Sequence, residues 1–337
     1  MLLRGLRDRG HEVLLLCNDE LVMQEATSRG VRSEMLPIGG DVAIGHAFRL
    51  ASRLRREKPD AFIVGTWKKL FLAALGAKRA RVPVVVARVG LETDTPRSAK
   101  YRFALRHWVD AVAVNAERIV ESFATLDGFG PAKVRIIHNG VRPAASVANP
   151  GSLRSELGIP PDAFVIGAVA RLAQQKRFDR LLDSLALMGD GVHLIVAGEG
   201  TERAGLVAKA EILGLTGRAH FIGHRDDKSD VLCTLDVFVV TSDREGMANS
   251  MLEAMAHGLP VVSTDVSGAS DALEREPRAG VITTFDPASI AASLEALQRD
   301  RAMRAQMAAA GRLHASTTFS FETMLDRWEQ FLAAPTR

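Results

Sequence analysis

Ser242-Asp-Arg-Glu-Gly-Met-Ala-Asn-Ser-Met-Leu-Glu-Ala-Met-Ala-His-Gly-Leu-Pro-Val-Val-Ser-Thr264 is the stretch that decides how this 337-residue chain folds. An apolar, strand-like run ends at Thr241, a polar loop carries Glu245, and a helical pattern starts near Ser250 with Glu253 expected in its first turn. A strand that feeds a helix in this way presents unpaired N–H groups and the positive end of the helix dipole, both of which favour anions. Two carboxylates at that point would repel a bare phosphate. They are better suited to accept hydrogen bonds from sugar hydroxyls, with phosphate resting on backbone N–H groups near Met247, Ala248 and Asn249.

Moving outward, short β-rich runs alternate with longer helical periods, the mark of a parallel α/β architecture. In the first half, strands are expected over residues 13–17, 61–64, 84–87, 111–114 and 134–137, with helices around 47–58 and 98–108. Residues 139–151 are rich in turn formers and lack periodicity, so they read as a linker. The second half restarts the alternation, with strands over 164–170, 193–197, 219–222, 237–241, 261–264 and 280–283. Helices are expected over 177–188, 202–213, 227–233 and 250–256, and the tail from Ala288 is helical with a break at 317–322. Two similar α/β halves joined by one linker imply a cleft between them, a preferred place for ligands.

The opening is unusual. A doubly wound domain begins with a strand, a glycine-rich turn and a helix, whereas here Met1 already lies in an amphipathic helical pattern. The expectation is a missing first strand near the sheet centre, which would leave a gap with unpaired backbone groups. The alternative is a sheet that begins one strand later.

Composition narrows the class. Apolar residues make up 47% and charged residues 25% of the chain, which excludes wholesale disorder. No apolar run approaches the ~20 residues of a membrane span, and no secretory signal is present at the start. Two cysteines, Cys17 and Cys233, are too few for a disulfide scaffold or a zinc site, pointing to a reducing compartment, the cytoplasm. Residues 1–150 carry 24 basic and 15 acidic side chains, against 19 and 25 in residues 151–337. A basic first half beside an acidic second half suits an anionic or phosphorylated partner, including the inner face of a membrane. Nucleic acid is disfavoured, since aromatics are only 5% and none interleaves with the basic runs.

A second cluster of charge follows the strand expected at 164–170. Arg171 and Lys176 flank a turn at that strand's C-terminal end, where open α/β sheets bind ligands, and can neutralise a diphosphate. Gly198-Glu-Gly200 mimics part of a dinucleotide fingerprint, but Arg203 stands at the third glycine position and the reading is rejected.

With these residues in place, the second half resembles the donor domain of the family 4 (GT4-type) retaining glycosyltransferases, which have the GT-B fold. Four elements match in order: His138-Asn-Gly-Val141, Arg171 with Lys176, Ala197-Gly-Glu-Gly200, and Glu245 seven residues short of Glu253 with Ala-Met-Ala-His-Gly-Leu-Pro-Val-Val after it. The match is strong over residues ~130–285 and loose elsewhere. It implies an α/β GT-B protein of two Rossmann-like, doubly wound domains facing across a cleft. The first would span residues 1–143 plus a returning helix at about 318–337, and the second residues 144–317.

The resemblance also implies roles. Arg171 and Lys176 would hold the donor diphosphate and stabilise the leaving group, and Glu253 would bind the ribose. Glu245 would bind the transferred sugar, with catalysis resting on Glu245, Arg171 and Lys176. Gly246, Met247, Ala248 and Asn249 would give backbone contacts, and His224 and Arg225 would lie beside the base. No metal or other cofactor is expected, since the nucleotide-sugar is itself the donor substrate and no Asp-x-Asp run is present. Members of the family carry a histidine after the strand matching 84–87, where this chain reads Ala87-Arg-Val-Gly-Leu-Glu-Thr-Asp94, so Arg88 is a candidate substitute on the acceptor side. Trp67 and Lys68 read equally as acceptor contacts or as packing beside a solvated lysine. Asp271 stands where the family has a glutamate.

The expected activity is transfer of a hexose from a nucleotide-sugar to a saccharide or lipid-linked acceptor, in cell-envelope or exopolysaccharide synthesis. The expected place is the cytoplasm or its membrane face, as a peripheral protein. Two rivals stay open: a sugar-nucleotide epimerase of the same fold, which needs acid–base groups to abstract a sugar proton, and a truncated, inactive nucleotide-sugar-binding protein.

Overall fold

The computed structural model describes residues 1–38, 44–94, 98–124, 133–145 and 152–334. Residues 146–151 of the expected linker therefore lie outside the described residues. The chain divides into two compact units, Met1–Ile137 with Met324–Arg337, and His138–Thr323.

The first unit runs α1 (Leu2–Asp8), β1 (Leu14–Cys17), α2 (Glu20–Ser28), β2 (Arg32–Met35), α3 (Ile44–Glu57), β3 (Ala61–Val64), α4 (Leu70–Ala80), β4 (Val84–Val89), α5 (Ala99–Trp108), β5 (Ala111–Val114), α6 (Glu117–Ala124) and β6 (Val134–Ile136). Its strands are parallel but form two separate sheets, β1–β2 and β3–β4–β5–β6. Strands covered on both faces read as unbroken apolar runs, and Ala111-Val-Ala-Val114 of β5 is buried throughout. Helix α3 buries Ala47, Leu50, Ala51 and Leu54, one face at helical spacing. It packs closely on α4 at Gly76, where an added Cβ would sit 2.8 Å from Leu50 and 3.0 Å from the Ala47 carbonyl.

The second unit runs α7 (Ser152–Glu156), β7 (Phe164–Val169), α8 (Phe178–Ala186), β8 (Val192–Ala197), α9 (Arg203–Ile212), β9 (Ala219–Phe221), α10 (Lys228–Thr234), β10 (Val237–Val240), α11 (Asn249–Ala256), β11 (Val261–Thr264), α12 (Ser267–Leu273), β12 (Gly280–Thr283), α13 (Pro287–Arg299) and α14 (Arg301–Ser316). A last helix, α15, spans Phe321–Ala333. One six-stranded parallel sheet has the order β12–β11–β10–β7–β8–β9. That order reverses between β7 and β10, and open α/β sheets bind ligands outside the carboxyl ends of the strands at such a switch point. The loops after β7 and β10 are the ones that carry Arg171, Lys176 and Glu245.

Three details depart from the sequence reading. Strand β2, Arg-Ser-Glu-Met, was not expected, because its polar, non-alternating composition carries no strand signal. The tail is broken a second time at Asp300, whose carboxylate caps α14 by accepting from the Met303 N–H at 2.8 Å. Glu253 does not lie in the first turn of its helix: α11 starts at Asn249, one residue earlier than read, which places Glu253 a turn further in. No helix among the described residues is long and apolar enough to cross a membrane.

Candidate active site

The switch-point loops are fixed from below by buried groups. Thr264 Oγ1, at the end of β11, donates to the Ser242 carbonyl at 2.8 Å, and Thr241 Oγ1 donates to the Lys176 carbonyl at 2.9 Å. Arg180, buried in α8, donates to the Thr241 carbonyl and to Asp243 at 2.8 Å each. Burial pushes the Asp243 carboxyl up, but the bonds from Arg180 and Arg177 outweigh it and hold the group below the ordinary carboxylate range. The Asp243 charge is therefore part of the scaffold that aims the following loop.

That loop rests on α12. The Ser267 N–H donates to the Glu245 carbonyl at 3.2 Å. An added Cβ on Gly268 would lie 2.4 Å from the Gly246 carbonyl, so only glycine admits this approach. Met247 and Ala248 are buried and turn their side chains into the core, while Asn249 is exposed. Ala248 is the residue ahead of α11 and has no side-chain oxygen to cap it, so the first-turn N–H groups are not claimed by a capping side chain. Asn139 closes the other side, donating to the Met247 carbonyl and to Asn249 Oδ1 at 3.0 Å each. Beside it, His138 and Asp271 form a buried pair at 2.9 Å, and the His138 ring meets Phe319 edge-on. Asp271 in place of the family glutamate therefore carries a direct structural bond.

The two motif carboxylates each meet a lysine. Glu245, only 13% exposed, is paired with Lys176, which ends a single 3-10 turn at Gln174–Lys176 after β7. Ser242 Oγ also donates to Glu245, at 3.0 Å. Glu253, 25% exposed, accepts from Lys228 at 3.2 Å through both oxygens. Lys228 and Ser242 were not singled out by sequence: a lysine in the polar run Asp226-Asp-Lys228 has no pattern to distinguish it from a solvated charge. Arg171 is exposed at the end of β7 and makes no side-chain ion pair or hydrogen bond among the described residues.

The glycines of Ala197-Gly-Glu-Gly200 serve the backbone. An added Cβ on Gly198 would lie 1.9 Å from the Ala170 carbonyl, and one on Gly200 2.1 Å from that of Leu172. The segment lies against the residues that lead into and out of Arg171, and Leu172 N–H donates to the Glu199 carbonyl at 2.8 Å. Of the remaining sequence candidates, Arg225 is drawn to Glu156 at 2.8 Å and His224 faces Asp226 at 3.3 Å. In the first unit, Trp67 packs on Tyr101 and Phe123 with ring centres 5.7 and 6.3 Å apart, and Lys68 is exposed. Arg88 projects from β4 into a cleft of about 1400 Å³ bounded by β1 and β3. The surrounding protein lowers its guanidinium from the ordinary value. Its surface remains open to the cleft, and it stays charged.

The second half, residues 151–314, matches the family model described as glycosyl transferases group 1, and residues 1–145 match glycosyltransferase family 4. Lipopolysaccharide core biosynthesis glycosyltransferase LpsE of Rhizobium meliloti is 30% identical over 83% of this chain and 77% of its own length. The chain belongs to glycosyltransferase family 4. The GDP-mannose-dependent alpha-mannosyltransferase of Mycobacterium tuberculosis is 28% identical to this glycosyltransferase over 80% of the chain and 74% of its own. Anabaena Alr3699/HepE, solved in complex with UDP, superposes with a TM-score of 0.87 at 21% identity, covering 99% of this chain and 94% of that one. The fold is GT-B, with two Rossmann-like domains built on parallel sheets.

Proposed function

We propose that this glycosyltransferase moves a hexose from a nucleotide-sugar to a saccharide or lipid-linked acceptor with retention of anomeric configuration, in building a cell-envelope polysaccharide. The observation that carries the reading is the gathering of Lys176 with Glu245, and of Glu253 with the uncapped start of α11, at the switch point of the second sheet. Breaking a glycosyl–phosphate bond builds negative charge on the departing diphosphate. Lys176, Arg171 and the α11 N–H groups would meet that charge, and fixed dipoles and cations of this kind lower such barriers. Glu253 would accept from the ribose hydroxyls and Glu245 from the transferred sugar. The side chains present supply the positive charge the departing group needs, so the reaction we propose runs without a resident metal. UDP-bound HepE and the LpsE, CapM and mannosyltransferase relatives support the substrate class.

The acceptor is assigned to the basic first unit, and the protein to the cytoplasmic face of the membrane. Helix α3 exposes Ile44 and Phe48 beside Arg49, Arg55 and Arg56, and Arg79 lies over the Phe48 ring at 4.6 Å. Exposed apolar side chains ringed by arginine suit an anionic bilayer. Flotation with vesicles containing anionic lipid tests this; absence of binding at low salt, where attraction is strongest, overturns it.

The reaction itself is tested by thermal shifts with UDP-, GDP-, ADP- and TDP-sugars, since a selective ligand stabilises the native state. One donor should raise the melting temperature, and Glu253→Ala and Lys176→Ala should each abolish the rise. If both variants keep it, the site is misassigned. Proton NMR of the product gives the anomeric outcome, and activity unchanged by a chelator is the expected result for metal.

A further inference from the structure

The first unit holds a seat for one more strand. Sheets β1–β2 and β3–β4–β5–β6 each end in an edge, β1 and β3, and among the described residues neither edge strand is bonded to a further strand. Both ladders are parallel. Between the two edges runs the cleft of about 1400 Å³, and it is lined by every residue of Leu14–Cys17 and every residue of Ala61–Val64. Backbone N–H and C=O groups left unpaired in an apolar surround are costly, and native sheets pair, cover or charge their edges. Here the edges carry none of those devices: β1 reads Leu-Leu-Leu-Cys and β3 reads Ala-Phe-Ile-Val.

Burial repeats the point. All of β1 and three residues of β3 are only half-buried, although they are as apolar as β5 and β10, which are buried at every position. An apolar strand exposed on a sheet edge inside a cleft is a strand without its neighbour. The strand order adds direction: reading β2, β1, vacancy, β3, β4, a strand in the vacancy restores the doubly wound order in which the first strand is central. Helix α1 lies between that position and β1 in the chain, and Met1, Leu2, Leu3 and Leu6 line the same cleft. A parallel strand connected through a helix to its neighbour is the ordinary right-handed crossover.

We propose that this cleft is the seat of a parallel β-strand supplied by polypeptide immediately N-terminal to α1, an extended apolar segment bonded on one side to Leu14–Cys17 and on the other to Ala61–Val64. The segment is matched in length to these edges, about five residues, and both of its faces are apolar, because sheet strands covered on both sides have no solvent face. Linkage to α1 holds it at high effective concentration beside the slot.

The test uses the full 337-residue chain and two extended forms. One extension places an alternating valine–leucine strand of about five residues and a short glycine-serine turn before Met1; the control carries proline at the strand's centre, which removes a ladder donor. Amide hydrogen exchange is read at residues 14–17 and 61–64, with the melting temperature and the oligomeric state alongside. The expected result is exchange slowed by about a hundred-fold or more at both edges and a melting temperature raised by about 5 °C, with the proline control giving neither. Equal effects from both extensions, or no protection from either, overturn the proposal. So do edges already protected in the unextended chain, whether as a monomer or as a dimer in which a second copy fills the slot. The readout involves no donor, so it stands or falls apart from the proposed reaction.

Discussion

The two units solve the same architectural problem to different degrees. In the second, six parallel strands form one sheet whose central members, β7, β8 and β10, are buried almost throughout. In the first, the strands divide into a pair and a foursome with a cleft between them. The chemistry-bearing residues sit on the continuous sheet. A site that must hold charge against a developing diphosphate needs loops that do not move, and the second unit anchors them on β7, β10 and β11 through Arg180, Thr241 and Thr264. The first unit has no equivalent rigidity at β1, where apolar side chains remain half in water.

This contrast is broken most sharply by cutting one large side chain from each unit. Phe238, 1% exposed at the centre of β10, should cost about 3–5 kcal/mol when changed to alanine, through lost burial and the cavity left behind. Leu15→Ala in half-buried β1 should cost only about 1 kcal/mol. Calorimetry of the two variants, with each unit's transition followed separately because a multidomain chain need not melt in one step, checks this. Equal losses would mean that β1 is as well packed as β10. In a chain carrying the added N-terminal strand, Leu15→Ala should become the costlier of its two versions.

Lys176→Ala probes the site on the continuous sheet. Removing a fixed cation from the leaving group should lower kcat by about 10²–10³-fold, with the melting temperature little changed, since the Lys176–Glu245 pair is partly exposed and such pairs contribute little to stability. A drop in melting temperature as large as that of Phe238→Ala would show instead that Lys176 is structural.

Most of the second unit was legible in the sequence, and the reason is periodicity. Fully buried parallel strands such as Val261–Thr264 and Gly280–Thr283 are short apolar runs bounded by turn residues, and they stand where they were read. The first unit's opening was legible for the opposite reason: a helix where a strand was due. Strand β2 escaped because Arg-Ser-Glu-Met owes its conformation to its ladder with Leu14–Cys17, a tertiary cause that no local pattern records. Within the site, Glu245, Lys176 and Glu253 could be found from spacing, whereas Lys228 reaches Glu253 across 25 positions of sequence by the way α10 and α11 lie. Gly268 was equally silent. Its importance is the absence of a Cβ beside the Gly246 carbonyl, a fact of packing alone.

Gly268→Ala turns that packing fact into a sharper test of what holds the loop. The new methyl would sit 2.4 Å from the Gly246 carbonyl and 2.9 Å from Met247 Cα, so the backbone must shift. Overpacking of this kind costs about 1–3 kcal/mol. Because the displaced segment is the one between Glu245 and Asn249, donor KM should rise more than stability falls. Unchanged KM beside a lowered melting temperature would separate the loop from donor binding.

The smallest effect lies at the far edge of the second sheet. His193 on β8 and His220 on β9 stack with ring centres 5.6 Å apart, and Nδ1 of one lies 3.2 Å from Nε2 of the other. A hydrogen bond between two imidazole nitrogens needs one donor and one acceptor, so the pair cannot be doubly protonated and keep it. Burial lowers both groups below the ordinary histidine value, aided for His193 by Arg218 and Arg154 and for His220 by the charge of His193. The unfolded chain, whose histidines titrate near about 6.5, therefore binds protons first as the pH falls. Stability from this pair is complete above that value and declines below it, levelling once the folded pair has also taken up protons. The slope is at most about 1.4 kcal/mol per pH unit for each proton of difference. The lowered carboxylates Asp179 and Asp243 are charged in both states over this range and act only at lower pH. His220→Asn should consequently flatten the fall in the second unit's stability between about pH 7 and pH 5, measured by denaturant unfolding, while leaving the first unit's curve as it was. An unaltered slope would assign the acid sensitivity of this sheet to other groups.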